Sequence, residues 1–393
     1  MGYRRFGASY VLTFFHSYTD MRLLIVTQKI DAHDAVLGFM HGWVAEFARQ
    51  AEQVTVICLQ KGEVNLPENV RVFSLGKEKT ELRITNYELW KRVKYSWRFV
   101  RYIIRTRHEY GAVFVHMNPE YVVLGGIFWK FFGKKVTLWY AHKSLPWHLR
   151  VALLFTDIVF TSTKSGFRLP SKKVKVIGQG IDTNRFKIPA RTTVQSGRQD
   201  LRFKQEEKRF KIVSVGRITP AKDYDTLIEA IGIACEKISE PFSVSIIGPT
   251  SLSSDVVYLE RLKEKVQEKK LTGIVEFVGP VANRDLPEVL AGFDLFVNMG
   301  HTGSMDKAVP EAMASGLPVL TCNEAFKDVL GPFTDDLMYS KGDAKALAEK
   351  IVTIIKMAET ERKKVGEALR EIVIRDHSLE SFVTKIISTI HSL

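Results

Sequence analysis

Short runs of β-branched and aliphatic residues alternate with helical patterns along the chain, and the alternation occurs twice. In the first half, RLLIVT, QVTVICL, AVFVHM, KVTLWYAH, DIVFTST and KVKVIGQG read as buried strands. VLGFMHGWVAEFARQA and the stretch 87–108 read as helices between them. In the second half, FKIVSVGR, FSVSIIGP, IVEFVG, DLFVNMG and LPVLTC are strands, with DYDTLIEAIGIACEKI, VYLERLKEKVQEKK and DLPEVLAGF as helices. Strands that are apolar throughout and separated by helices imply parallel sheets covered on both faces. The fold class is therefore α/β: two Rossmann-like, doubly wound domains. Ligands of such sheets bind at the carboxyl ends of the strands, here in a cleft between the domains.

The 393 residues exceed what a single core usually holds. The expected division is an extension over 1–20, a first domain over 21–186, a linker over 187–210, a second domain over 211–370 and a helical segment over 371–393. The linker is polar and carries no period. The extension has two arginines and a short apolar patch, and Met21 then opens a clean strand. It reads as dispensable or as following an upstream start, with a weak membrane-proximal arm as the alternative. No apolar run reaches the length of a membrane span. Three isolated cysteines, Cys58, Cys235 and Cys322, have no zinc spacing and suit a reducing cytosol. A net charge of +13 points to an anionic partner: a membrane surface, a nucleic acid or a phosphorylated substrate.

Two stretches carry the chemistry. In VSVGRITPAKDYDTLIEA a strand ends at Gly216, and Arg217 and Lys222 follow in its loop. A planar guanidinium and a compact ammonium together suit a diphosphate. Asp223 and Asp225 form a DYD triplet like the metal motif of another sugar-transferase class. Asp225 opens an apolar helical run, so it reads as a helix cap and no metal is expected. In TGSMDKAVPEAMASGLPVL, Pro310 suits a first helical turn and Glu311 follows it. An ionised carboxylate only accepts hydrogen bonds, and its two oxygens can take both hydroxyls of a ribose. The alternative is that Glu311 merely charges the first turn. Gly303 and Ser304 supply a turn whose N–H groups could meet a sugar.

These stretches, with VSIIGP, VEFVGPVANRDLPEVLAGFDLFVNMG, KGDAKALAEKI and the pre-linker GQGIDTNRF, occur in order. As a set they resemble the nucleotide-binding half of the family-4 retaining glycosyltransferases of the GT-B fold, over most of residues 170–355. The resemblance implies a nucleotide-sugar donor with no cofactor and no metal. Arg217 and Lys222 would neutralise its diphosphate and Glu311 would hold its ribose, with Gly216, Gly303, Ser304, Asp306 and Lys307 around it. The family's paired glutamates are incomplete here: the first falls on Gly303, and Asp306 is the nearest acid. The resemblance also implies transfer with retained configuration to a hydroxyl acceptor, a glycan or a lipid-linked envelope intermediate. The protein would work in the cytosol or at the inner face of the membrane. A nucleotide-sugar epimerase and a non-catalytic nucleotide-sugar scaffold are the rival functions.

The first half departs further from the family. TQKIDAHDAVLGFMHGW replaces the usual Gly-Gly turn, and Asp31, His33, Asp34 and Gly38 are its acceptor-side candidates. VFVHMNPEY resembles the segment that carries a histidine near the reacting centre, here His116. His142, in LWYAHK, is a second candidate on the acceptor side. Finally, residues 90–108 hold seven cations: Lys91, Arg92, Lys94, Arg98, Arg101, Arg105 and Arg107. Trp90, Val93, Trp97, Val100 and Ile104 form one apolar face of the same helix. It is either an ordinary domain helix with solvated cations or a contact with anionic lipid. No recognised DNA- or RNA-binding motif accompanies the charge, which argues against nucleic acid.

Overall fold

The computed structural model describes residues 18–79, 88–187, 209–301 and 303–393. Most of the 1–20 extension and of the 187–210 linker lies outside them.

The first domain alternates as expected. It runs β1 (Tyr18–Ile30), α1 (Phe39–Gln50), β2 (Ala51–Lys61), β3 (Val70–Ser74), α2 (Glu88–Arg105) and β4 (Ala112–His116). It continues with α3 (Pro119–Phe131), β5 (Lys135–Trp139), α4 (Trp147–Phe155), β6 (Ile158–Thr161) and β7 (Val174–Val176). All seven strands are parallel, in the order β3-β2-β1-β4-β5-β6-β7. The first strand starts three residues before Met21, because Tyr18 pairs with Ala51 across a register shift. Backbone pairing there outlasts the apolar run.

The second domain comprises β8 (Phe210–Val215), α5 (Tyr224–Lys237), β9 (Phe242–Ile247), α6 (Ser253–Glu268), β10 (Val275–Gly279) and α7 (Leu286–Leu290). Then come β11 (Leu295–Asn298), α8 (Ala308–Ala314), β12 (Val319–Thr321), α9 (Lys327–Leu330), α10 (Thr334–Leu337), α11 (Ala344–Lys356) and α12 (Glu359–His377). Its five strands are parallel in the order β10-β9-β8-β11-β12. Both sheets reverse their winding beside their first strand, between β1 and β4 and between β8 and β11. Those two switch points are where a doubly wound sheet opens a crevice.

The last helix, α13 (Leu379–His391), returns to the first domain. Leu379, Phe382, Val383, Ile386, Ile387 and Ile390 are buried in the core that α1 covers. Phe382 packs 4.4 Å from Trp43 and 4.9 Å from Trp139, ring centre to ring centre. The chain crosses back at Ser378, which bridges Ile181. The opposite face of the first sheet is covered by α2, α3 and α4.

One local expectation is corrected and one open choice is narrowed. Asp225 does not cap α5: the helix begins at Tyr224, and Asp223 precedes it in the left-handed region at φ 52°. Asp225 lies in the first turn, where Tyr258, Arg261 and Lys265 engage its carboxylate at 2.9, 2.9 and 3.3 Å. In α2 the apolar face read from the sequence points outward. Phe99 and Ile103, four apart, are the residues it buries, while Trp90, Val93, Trp97 and Ile104 are exposed. The helix is apolar on two sides, and periodicity alone does not choose between them.

Candidate functional site

The two switch points face each other across a cavity of about 220 Å³. Its second-domain wall comprises Val215, Gly216 and Arg217 at the end of β8, Ile247 to Pro249 at the end of β9, and Asp306 to Ala308 with Glu311 around the start of α8. Ala35, Val36 and Phe39 close it from the first domain. Six sequence-predicted residues thus converge: Gly216, Arg217, Lys222, Asp306, Lys307 and Glu311.

Their partners define the electrostatics. Arg217 is exposed to the cavity and makes no hydrogen bond or ion pair among the described residues. Lys222 is ion-paired with Asp306, which also accepts from Asn298 Nδ2 at 2.8 Å. Asp306 therefore already engages the second predicted phosphate-binding cation. Tyr224 fixes the Gly216 loop by donating from its hydroxyl to the Gly216 carbonyl at 3.0 Å.

Glu311 is buried in the first turns of α8, one turn beyond Lys307. Burial raises its carboxyl pKa, opposed by Lys307, Arg185 and a hydrogen bond from Asn283. Lys307 is half-buried and its ammonium leaves the second domain. It lies 3.9 Å from the centre of the Phe39 ring and 5.3 Å from that of Trp43, with the Gly180 carbonyl at 3.4 Å. Burial pushes its pKa down to about 8. An ammonium over two aromatic faces is a cation–π contact, and here it spans the cleft.

Gly303 and Ser304 are buried and do not line the cavity. Gly303 has φ +72°, and a Cβ on it would lie 2.6 Å from Arg168 Nη2 and 2.9 Å from Glu324 Oε1. Those two groups form an ion pair between the domains at 2.6 Å, so the glycine makes room for a cross-domain contact. The Ser304 carbonyl accepts from Asn323 Nδ2 at 2.8 Å.

On the acceptor side, Asp34 organises its own loop. It accepts from the N–H groups of Val36 and Leu37 at 2.8 and 2.7 Å and from Lys29 at 2.5 Å. Asp31 shares Lys29 at 3.1 Å. Gly38 allows the loop to meet the other domain: a Cβ there would stand 3.0 Å from Asn283 Cβ. His33 contacts Arg284 across the cleft at 3.0 Å and is also paired with Glu63. His116 is buried behind the cavity wall, 5.8 Å from Phe39 and 5.6 Å from Trp43, with Thr27 Oγ1 at 3.4 Å. Burial, reinforced by Lys307, lowers its pKa to about 3 and keeps the imidazole neutral. His142 accepts from the Ser144 N–H at 3.0 Å and lies outside the cavity lining, its pKa lowered by burial and Lys143.

Phe39, Trp43, Asn283 and Arg185 were not singled out from the sequence. Arg185 lies in GQGIDTNRF and donates to the Asn283 carbonyl at 2.7 Å, holding Asn283 beside Glu311. Its place in that signature was the available signal. Among the described residues no cluster of three or more His, Cys, Asp or Glu side chains forms a metal site.

Residues 197–371, just under half of the chain, match the family model described as glycosyl transferases group 1. Mannosylfructose-phosphate synthase of Agrobacterium fabrum is 33% identical over 155 residues, which cover 39% of this chain and 33% of that protein. The GDP-mannose-dependent alpha-(1-6)-phosphatidylinositol monomannoside mannosyltransferase of Mycobacterium tuberculosis is 28% identical over 182 residues, covering 43% of this chain and 44% of that protein. The chain thus matches only a third to under half of the length of these relatives. Whole-chain likeness comes from solved structures. Anabaena Alr3699/HepE in complex with UDP and glucose superposes with a TM-score of 0.72 at 19% identity, over 95% of this chain and 100% of that one. Sucrose-phosphate synthase of Thermosynechococcus elongatus gives 0.72 at 17% identity, over 94% and 99%. The fold is GT-B, two Rossmann-like domains facing across a cleft.

Proposed function

We propose that this chain is a glycosyltransferase that moves a sugar from a nucleotide-sugar donor to a hydroxyl acceptor, with retention at the anomeric carbon. The observation that carries it is the convergence of Arg217, Lys222 and Glu311 on one cavity at the carboxyl ends of the second sheet. The cations would hold the donor diphosphate and Glu311 the ribose. A nucleotide-sugar is the donor class named for the mycobacterial relative, and UDP and glucose occupy the Anabaena neighbour.

In the reaction the acceptor hydroxyl attacks the anomeric carbon from the face that the diphosphate leaves. The carbon–oxygen bond to the phosphate breaks, the new glycosidic bond forms, and the acceptor proton passes to the departing phosphate oxygen. No protein nucleophile is needed. Arg217 and Lys222 stabilise the charge that grows on the leaving group, an electrostatic contribution that can reach several kcal/mol. To meet the diphosphate, Lys222 exchanges part of its pairing with Asp306. The loop around Phe39 excludes water and limits hydrolysis. The acceptor is a glycan or lipid-linked envelope intermediate, met at the cytosolic face of a membrane. The mycobacterial relative, whose name specifies a phosphatidylinositol-linked acceptor, supports this choice.

A thermal-shift screen against nucleotide-sugars tests the donor site. A ligand at about 100 times its dissociation constant stabilises by about 2.7 kcal/mol, which raises the melting temperature of a chain of this length by about 3 °C. No shift with any nucleotide-sugar or nucleoside diphosphate would refute the donor assignment. Epimerised donor formed without an acceptor would replace transfer by epimerisation.

A further inference from the structure

We propose that the outer face of α2, α3 and α4 is a docking surface for an anionic lipid bilayer. Nine of the sixteen exposed large apolar side chains among the described residues lie on these three helices. Six of them, Trp90, Trp97, Ile127, Phe131, Trp147 and Leu154, are between 60 and 85% exposed. Their spacing follows the helices: 90 and 97 in α2, 127 and 131 in α3, 147 and 154 in α4. Each helix therefore has two apolar faces. One, through Phe99, Ile103, Val122, Trp129, Leu149 and Ala152, builds the core against the sheet. The other faces away from it. Because α3 packs between α2 and α4, the outward faces join into one layer rather than three separate stripes. Apolar patches of this kind on a monomer mark an interaction site.

Charge selects the partner. Arg92, Lys94, Arg101 and Arg105 are exposed on α2 and form no ion pair among the described residues. Among the described side chains around the layer, Glu109 pairs with Arg71 at 2.8 Å, Glu120 with His148 at 3.0 Å and Asp157 with Lys130 at 2.6 Å. Arg101 lies over the Trp97 ring at 5.3 Å, cation and aromatic together at the surface. Unpaired cations beside exposed tryptophans and phenylalanine match the boundary between anionic headgroups and acyl chains. Arg98 does not belong to this set. It turns inward and donates to the Leu75 carbonyl at 2.7 Å. No helix among the described residues is long and apolar enough to cross a membrane, and the proposed contact uses the outer faces of these three helices alone. Trp147 starts the helix that follows the β5 loop, at the carboxyl end of the first sheet. That edge of the layer lies at the strand ends of the first sheet that face the cavity. The proposal thus deepens the choice of a membrane-held acceptor, and its test does not depend on catalysis.

The full chain is sedimented with vesicles of equal parts phosphatidylcholine and phosphatidylglycerol, and with phosphatidylcholine alone. Wild-type protein pellets with the mixed vesicles at low salt and stays in solution with the neutral ones. Each surface cation is worth about fivefold in partitioning. Changing Arg92, Lys94, Arg101 and Arg105 together to Glu therefore lowers the partition coefficient by at least about 100-fold. The double variant Phe131→Ser and Trp147→Ser lowers it by about tenfold through lost insertion. Both sets replace exposed side chains, so the melting temperature and the nucleoside-diphosphate affinity stay at wild-type values. That retained affinity separates failure of docking from failure of the donor site. Three results would overturn the proposal: wild-type protein left in the supernatant at low salt, both variants pelleting like wild type, or salt-sensitive binding to single-stranded RNA with none to vesicles. A dimer in sedimentation velocity that Phe131→Ser abolishes, with no vesicle binding, would assign the face to a second copy instead.

Discussion

The ion pair between Lys222 and Asp306 makes a quantitative prediction about phosphate binding. Both side chains are mostly buried, 19% and 14% exposed, and both line the cavity. Lys222→Ala removes a cation and also leaves a carboxylate uncompensated beside the diphosphate. Asp306 stays in place in that variant, because Asn298 still donates to it at 2.8 Å. Two unit charges about 4 Å apart repel by about 4 kcal/mol at an effective dielectric near 20. Greater separation and entering solvent leave roughly 1–2 kcal/mol. Lys222→Ala alone therefore weakens nucleoside-diphosphate binding by about 100-fold, while Lys222→Ala with Asp306→Asn weakens it by only about tenfold, a difference of about 1.4 kcal/mol. Asp306→Asn alone tightens binding by up to about tenfold, since the phosphate no longer competes with a resident acid. Isothermal titration of the four proteins with the best-bound nucleoside diphosphate measures the cycle. A double variant that binds no tighter than Lys222→Ala alone would show that the Asp306 carboxylate does not oppose the phosphate.

Four further outcomes follow from the same site. Arg217→Ala lowers kcat/KM by at least about tenfold, measured with saturating acceptor, as loss of a leaving-group contact requires. Glu311→Gln weakens donor binding by about 10–100-fold, the worth of a charge-assisted hydrogen bond, and calorimetry with the free nucleoside shows the same loss if the ribose is the contact. Treatment with EDTA leaves turnover unchanged, because Asp225 is held by Tyr258, Arg261 and Lys265; loss restored by manganese would reverse that assignment. His116 has its folded pKa near 3 against an ordinary 6.5, so it favours the folded state above pH 6.5 and that stability is lost as pH falls toward 3. His116→Gln therefore flattens the acid side of a melting-temperature profile without removing an activity limb near neutrality.

The alternation of strands and helices was legible because strands buried on both faces are apolar along their whole length. Arg217, Lys222, Asp306, Lys307 and Glu311 were legible because two short motifs each end on the same side of one sheet. The partner of each was not. Asp306 meets Lys222 across 84 residues, and Asn283 meets Arg185 across 98. Such pairs depend on sheet order, which local spacing does not specify. The amphipathic pattern of α13 marks it as a packed helix but not which of two cores it fills. Gly303 stands where the resemblance implies a glutamate, and its setting suits a glycine: the Arg168–Glu324 pair fills the space above its Cα.

Trp43 connects the cavity to the crossing between the domains. Its indole donates to the Gly180 carbonyl at 2.8 Å, and the same carbonyl lies 3.4 Å from Lys307 Nζ. One face of its aromatic cluster meets Phe382 of the returning helix, and another meets His116. Lys307 thus links α8, which carries Glu311, to a first-domain cluster held by the carboxyl-terminal helix. The link depends on charge, since a neutral amine loses the cation–π attraction. With a folded pKa near 8 against 10.5 in the unfolded chain, Lys307 loses its proton as pH rises through 8. Over pH 8 to 10.5 the unfolded state binds more protons, so this group's contribution to global stability rises while the cross-cleft contact weakens. Stability and closure should therefore separate above pH 8. The expected result is a melting temperature that does not fall on account of Lys307, beside a fall in kcat/KM with an apparent pKa near 8. Lys307→Arg should move that limb upward, because a guanidinium keeps its charge. An alkaline limb unchanged in Lys307→Arg would mean that this contact does not gate the reaction.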